Sequence, residues 1–515
     1  MKKIIAIIVV LFVAIITVAY LYFTGLNSEQ KSSQHSLYAA TANSSFVFSF
    51  ENDQSIIDIL KGQEILQQII GADKFSQLEQ LKNQFLNLPG INNYFDHQNV
   101  YISLNPGSNK DINFLYTTQI NQDFDSKKLL ETLKANKISV TSTKALFSVK
   151  LNDTLTFYAG FEENLVVLST VPELVINAIK GASNKTNNFA DFIKSNSRVT
   201  KNSLAELYIN FETLPLLLKN TMPGGLTGEL FPLDQQSAYA ALVYNFSKEK
   251  LLLTGVTTLT KPNSYYQLFG NSPPKKVSIN NILPDNTANY TAYTLNNYTS
   301  FRGNLSEWLK SKGQEKLVSN LTQNIKDKYR IDSEQLFPKY FNDQMITFQM
   351  SSTEKLGAIN LSNGDKLSQQ LIELSTKYDE DISVLNVDDL LYSFFGEAFK
   401  KFKRPYYCII DNYMVFSNNA SSLKSFLSKY RSNKLFINTQ AYNNTLNQLP
   451  ETANIHFYLD LENSENIALK NIYLPFFRHI YSVEGLRNYT SISYQLSSDG
   501  NKFLSNVLMT KKIEQ

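Results

Sequence analysis

One stretch of the chain occurs twice. Tyr94-Phe95-Asp96-His97-Gln98-Asn99-Val100-Tyr101-Ile102 returns as Tyr340-Phe341-Asn342-Asp343-Gln344-Met345-Ile346-Thr347-Phe348. Each time Tyr-Phe, two polar residues and Gln lead into an apolar, β-prone run. Nine residues alone decide little, so the neighbours matter. Tyr290–Leu295 matches Ser45–Phe50 at an offset of 245, and the stretch itself repeats at 246. The hairpin ending at Ser417 matches the one ending at Ser169 at 248, which sets Asn412 on Asn164. Phe457–Glu462 falls on Leu207–Glu212, and Ser491–Ser497 on Ala241–Ser247, both at 250. The order is kept while the offset drifts slowly, as small loop insertions would produce. Copies of this length are domain duplications rather than solenoid units, because each can bury its own core.

The pattern inside each copy predicts the fold class. Period-2 runs such as Ser45–Phe50, Val100–Leu104 and Asn113–Gln119 read as strands. Leu155–Phe161 and Leu165–Ser169 flank Glu162-Glu163-Asn164, and Ala238–Phe246 and Lys250–Thr257 flank Ser247-Lys248-Glu249; both read as hairpins. Helical spacing marks a pair of helices between Asp53 and Leu88, one over Asp123–Leu133 and one starting near Val171-Pro172, where proline suits a first turn. Strand pairs with short polar turns, interrupted by helices, favour an α+β fold over regular βαβ winding. The expectation is two tandem copies of an antiparallel-sheet-plus-helices domain, with the helices on one face. The boundaries are 37–261 for the first copy and 285–511 for the second. Residues 262–284, with Pro273-Pro274 and Pro284, read as a proline-rich linker.

The N-terminal end reads differently. Lys2 and Lys3 precede an uncharged apolar run, Ile4–Phe23. At roughly 1.5 Å per residue such a run spans about 30 Å, a bilayer core. Residues 1–23 are expected to form a signal-anchor transmembrane helix, with the lysines cytoplasmic and the bulk of the chain in the periplasm or otherwise outside the cytoplasm. The alternative is a signal peptide cleaved after Thr17-Val18-Ala19, giving a secreted chain. Residues 24–36 are polar and aperiodic and read as a stalk.

Charge and motifs narrow the function by exclusion. A net charge of +3 over 515 residues offers no concentrated basic face, which argues against nucleic acid as a partner. Seven arginines among 49 basic residues leave few guanidinium forks for phosphate or carboxylate. The histidines, His35, His97, His456 and His479, have no metal-ligand spacing, and the lone Cys408 lies in an apolar run that reads as a buried thiol. No phosphate-binding glycine motif and no nucleophile elbow is present. The loop Pro223–Gly228 is glycine-rich but lacks lysine. The acid pairs Glu162-Glu163, Asp379-Glu380-Asp381 and Asp388-Asp389 fall in turns and read as solvated, Asp388-Asp389 being the most notable because Leu390–Phe395 follows it. Lys400-Lys401-Phe402-Lys403-Arg404 is a basic cluster suited to a lipid or glycan partner, or to plain solvent. No catalytic, cofactor-binding or metal-binding residue is assigned.

In layout the chain resembles bacterial membrane-anchored envelope proteins that carry one N-terminal hydrophobic segment and a large duplicated exported region. Its Asn- and Lys-rich, Arg-poor usage resembles that of a Bacteroidetes-type bacterium. The resemblance implies no activity and assigns no residues. The leading expectation is a non-enzymatic envelope protein whose tandem ectodomain serves binding or assembly with an envelope protein, lipid or glycan. A carrier of apolar ligands and a hydrolase with a dispersed active site are the alternatives.

Overall fold

A computed structural model of the chain describes residues 34–53, 97–107, 112–120, 146–153, 155–183, 186–197, 204–222, 237–245, 250–261, 264–472 and 485–512, with shorter pieces between them. The apolar run Ile4–Phe23, most of the expected helix pair before Leu88, most of the helix expected over Asp123–Leu133, the loop Pro223–Gly228 and His479 lie outside the described residues. Among the described residues no helix is long and apolar enough to cross a membrane. The architecture is mixed α+β with a large antiparallel sheet. The chain forms two compact units, one of residues 1–62, 73–105 and 112–199, the other of residues 63–72, 106–111 and 200–515.

The first unit begins with α1 (Gln34–Thr41), which overlaps the last residues of the expected stalk. Ser36 in that overlap is buried, as are Leu37, Ala39 and Ala40 beyond it. Its strands are β1 (Phe46–Glu51), β2 (Asn99–Pro106), β3 (Ile112–Gln119), β4 (Ser139–Ser142), β5 (Phe147–Lys150), β6 (Thr156–Glu162) and β7 (Leu165–Ser169). Across the sheet they run β1-β2-β3-β7-β6-β5-β4. The helices α2 (Asn92–Phe95), α3 (Pro172–Ala182) and α4 (Asn188–Asn196) accompany them. Pro172 opens α3, where no N–H is required. Val175, Ala178 and Ala182 then recur at helical spacing and pack on Leu115, Leu165 and Val167. Asn187 caps α4 by accepting from the amides of Phe189 and Ala190.

The second unit contains β8 (Glu206–Asn210), α5 (Leu214–Thr221), β9 (Ala238–Asn245), β10 (Lys250–Leu259), α6 (Gln267–Gly270), β11 (Lys275–Lys276), β12 (Thr287–Thr294), α7 (Tyr298–Ser311), α8 (Glu315–Tyr329) and α9 (Ser333–Tyr340). It continues with β13 (Phe341–Met350), β14 (Lys355–Leu361), α10 (Gly364–Leu371), β15 (Ser375–Lys377), β16 (Ser383–Leu385), α11 (Leu390–Phe395), β17 (Tyr406–Ile410), β18 (Tyr413–Ser417), α12 (Ala420–Arg431) and α13 (Gln440–Leu446). It ends with β19 (Thr452–Ala453), β20 (Ile455–Asp460), α14 (Glu465–Asn471), β21 (Tyr489–Asp499) and β22 (Lys502–Lys511). The sheet order is β8-β9-β10-β22-β21-β20-β12-β13-β14-β18-β17-β16-β15, antiparallel throughout. β11 and β19 form a separate ladder.

Strands β12–β18 therefore follow the same order as β1–β7, and β20-β21-β22 the same order as β8-β9-β10. Small details recur with the order. Glu163 and Asp411, the turn residues of the β6–β7 and β17–β18 hairpins, both take a left-handed backbone, φ 52° and 50°. The amide of Ile120 donates to the Asn164 carbonyl at 2.9 Å, and that of Leu361 to the Asn412 carbonyl at 2.8 Å. Ser169 Oγ donates to the Phe114 carbonyl at 2.7 Å, and Ser417 Oγ to that of Lys355 at 3.0 Å.

The pairing register corrects one sequence match. Tyr208 stands opposite Ala241, and Tyr458 opposite Ser493, so with Tyr458 on Tyr208 the closing strands correspond two residues later than the sequence match had them. At that spacing Asn506 is the counterpart of Thr254. These two residues lie directly opposite each other where β10 pairs with β22. The seam thus joins like to like about a local two-fold, as an isologous contact does.

Helices on a single face, the sequence expectation, are not what the second unit has. Tyr293, Met345, Ile359, Tyr407, Met414 and Phe416 belong to a core cluster with α7, α9, α10 and α11. Their strand neighbours Tyr290, Ala292, Ile346, Ala358, Cys408 and Val415 belong to a second cluster with α12 and α13. Side chains alternate faces along a strand, so the two clusters lie on opposite faces. These strands are apolar at odd and even positions alike, which requires cover on both sides. Each well-buried ring or aliphatic chain contributes roughly 1.5–3 kcal/mol.

Residues 262–284 also pack. Tyr265, Tyr266 and Phe269 around α6 are buried, as are Ile279 and Ile282 in a short 3₁₀ turn. Gln344, from the repeated stretch, holds that turn. Its Oε1 accepts from the amides of Ser278 (2.9 Å) and Ile279 (3.0 Å), and its Nε2 donates to the Lys276 carbonyl (3.0 Å).

Candidate functional site

The charged groups that stood out in the sequence are tied up in local structure. Glu163 serves the β6–β7 turn, with His35 Nδ1 at 3.9 Å from its Oε2. His97 lies 2.8 Å from Glu51 Oε1 and has a left-handed backbone. Asp343, its partner in the sequence match, instead pairs with Lys275 at 3.0 Å and accepts from Asn360 Nδ2 at 2.9 Å. The repeated stretch therefore carries no shared chemistry.

The acid pairs follow the same course. Asp379 and Asp381 bracket the β15–β16 turn. Lys424 and Arg431 of α12 reach them, Lys424 Nζ to Asp379 at 2.9 Å and Arg431 by a two-pronged contact to Asp381 at 2.8 and 2.9 Å. These partners hold both carboxyls below the usual range, the hydrogen bond being the largest cause. The tertiary structure brings Asp388-Asp389 beside the basic cluster. Asp389 N donates to the Lys403 carbonyl at 2.7 Å, and Lys403 Nζ lies 3.7 Å from Asp388. Asp389 has φ 58° and precedes α11, whose residues are all buried. Burial pushes its carboxyl up, opposed by Lys403. Cys408 is buried under α12, and desolvation pushes its thiol up to about 12, away from the thiolate form that attacks or ligates.

One contact has the geometry of a base and a nucleophile, and sequence spacing gave no sign of it. His456 Nε2 lies 2.9 Å from Ser493 Oγ. On the other side of the ring, Nδ1 lies 3.5 Å from Tyr290 Oη, which meets Tyr442 Oη at 2.8 Å. Asn280 Nδ2 donates to Tyr442 at 2.7 Å. His456 is 1% exposed and Ser493 fully buried. Desolvation lowers the imidazole to about 3, so it stays neutral and has little drive to take a proton. Rings crowd it, Tyr290 at 5.4 Å and Tyr458 at 6.5 Å between centroids. The arrangement is a buried polar network of the kind that fixes a unique core, with Asn280 Oδ1 left without a partner at its end.

An open cleft lies elsewhere in the second unit. It has a volume of about 290 Å³ and is bounded by the end of β10, by α6 and by the β21–β22 turn. Lys261 and Lys502 line it with the carboxamides of Gln267, Asn271 and Asn501, and Leu259, Gly270 and Phe503 supply apolar lining. Gly500 takes φ 67° at the hairpin tip, a conformation that suits glycine. Ser498 Oγ donates to the Gly270 carbonyl, and Asn454 ties the same two elements, donating to the Ser272 carbonyl at 2.8 Å and accepting from the Ser498 amide at 2.7 Å. The walls are therefore braced from beneath. Sequence reasoning missed this cleft because its lining comes from three separate stretches, one of which had read as linker.

Among the described residues no cluster of His, Cys, Asp or Glu could hold a metal ion. Comparison with protein-family models, with curated proteins and with solved structures gives no match.

Proposed function

We propose that the chain is a membrane-anchored envelope protein whose exported part, two copies of one α+β domain, serves binding or assembly rather than catalysis. The contrast between two places in the second unit carries this reading. The contact of His456 with Ser493 is sealed in the core, whereas the open cleft is lined by lysines and carboxamides suited to holding a ligand. Duplication is supported by the recurring strand order, by the paired left-handed turns at Glu163 and Asp411, and by the like-to-like seam of β10 and β22. The anchor rests on Lys2-Lys3 and the apolar run Ile4–Phe23.

Two measurements test it. The full chain should sediment with membranes, resist extraction by carbonate, and be cut by protease added to spheroplasts; removal of residues 1–23 should release it. A chain that is soluble in the cytoplasm overturns the anchor. Against a panel of ester, glycoside and peptide substrates the purified chain should show no turnover. Turnover abolished by a single substitution at Ser493 or His456 would assign those residues to catalysis instead.

A further inference from the structure

We propose that the cleft between β10, α6 and the β21–β22 turn binds an acidic sugar unit, a hydroxyl-bearing ring with one negative charge. The proposal rests on the binding reading above and names its ligand class.

Three observations carry it. First, the lining holds two ammonium groups and no carboxylate. Each lysine does have an acid nearby, Lys261 at 3.7 Å from Glu212 and Lys502 at 3.8 Å from Asp499, but both separations exceed hydrogen-bond length. Either ammonium can turn into the cleft by giving up only a long, solvent-exposed ion pair. Glu212 has a nearer donor in Thr260 Oγ1, at 2.7 Å. Second, the side chains of Gln267, Asn271 and Asn501 make no hydrogen bond among the described residues. Each carboxamide offers donors and an acceptor, the match for hydroxyls that both give and receive. A bare inorganic anion would use the lysines and leave the carboxamide oxygens idle. Third, the size is right for one small group: about 290 Å³ sits at the lower edge of the ~300–1,000 Å³ typical of ligand clefts. The lysines supply charge without the rigid fork of arginine, which suits a carboxylate on a ring held mainly by its hydroxyls.

The test uses the full chain in detergent at low salt, titrated with sodium glucuronate, glucose and inorganic phosphate and read by calorimetry. Glucuronate should bind saturably in about the millimolar range, with glucose and phosphate each at least about tenfold weaker. The double variant Lys261→Gln/Lys502→Gln should weaken glucuronate about tenfold while leaving the unfolding temperature unchanged, since both side chains are exposed. Asn271→Ala/Asn501→Ala should weaken glucuronate more than phosphate, because sugar hydroxyls use the carboxamide oxygens as well as the N–H donors. Equal binding of phosphate and glucuronate, indifference to both double variants, or no saturable glucuronate binding would each overturn the proposal. Retention of the same chain on sedimented envelope material in that event would leave the broader binding reading standing, so the two failures are distinguishable.

Discussion

Strands β6 and β17 hold the same place in the two halves, and each carries a helix, yet the contact is made differently. In the first half α3 rides close on Gly160, where an added Cβ would meet Val175 Cγ1 at 2.8 Å and collide with Ile179. In the second half the equivalent seat is Cys408, filled and buried under α12. Other seats differ in kind. Glu206, buried and bonded by Tyr208, stands where the second half has the neutral His456. Asn210 stands where the second half has Asp460. The strand order recurs, while the chemistry filling equivalent seats does not. Order is enforced by many pairings together; a single seat needs only a side chain of tolerable volume and satisfied polarity.

The seam gives the largest expected effect. A Cβ on Gly255 would collide with the carbonyl of Ala241 on the paired strand and lie 3.0 Å from Leu242 Cα. Its counterpart at the repeat spacing is Val507 on β22, where a branched side chain is accommodated, while Ser505 stands opposite Gly255. Gly255→Ala should cost about 3 kcal/mol or more in urea unfolding, because backbone must move. Val507→Ala should cost about 1 kcal/mol. Similar small losses for both would show that the two sides of the seam are equivalent after all.

The helix seats come next. Gly160→Cys should destabilise by about 1–3 kcal/mol through overpacking against Ile179 and Val175. Cys408→Gly should lose about 2 kcal/mol through the cavity and the added chain freedom. No loss in thermal melts of Gly160→Cys would show that the seat beneath α3 has room for a side chain after all.

Asp460 offers a gain. Burial, with Glu462 adding and Lys512 opposing, raises its carboxyl from 3.8 to about 6. A carboxyl raised in the fold binds its proton more tightly there than in the unfolded chain. Its stabilising contribution is therefore full below about pH 4 and is lost as pH climbs through about 6. Asp460 Oδ1 accepts from the Asn463 amide at 2.8 Å, and Asn210 in the first half accepts from Glu212 at 3.0 Å in the same way. Asp460→Asn should keep that bond and add about 1–2 kcal/mol at pH 8 and nothing at pH 4. A gain independent of pH would sink this account.

The smallest effect separates two turns that share a backbone. Glu163→Gly should stabilise by about 0.5–1 kcal/mol by relieving the left-handed conformation. Asp411→Gly relieves the same strain but removes the acceptor for Tyr430 Oη at 2.6 Å, and should come out near zero. Equal gains in chemical denaturation would show the tyrosine contact to be idle.

The sequence by itself determined what neighbouring residues can encode. Alternation, turn residues and helical spacing located the hairpins at Asn164 and Asn412, the helix beginning at Pro172 and the order of matching segments. It also showed which motifs are missing. It did not tell which strands lie side by side. The pairing of β3 with β7, of β12 with both β13 and β20, and of β10 with β22 joins residues far apart in the chain, and no local pattern marks such partners. The double-sided apolar strands were visible as sequence, yet which helices cover each face was not. The meeting of His456 with Ser493, the salt bridges from α12 to Asp379 and Asp381, and the cleft beside α6 were likewise decided by tertiary structure alone, because each is a contact among separate elements rather than a property of any one of them.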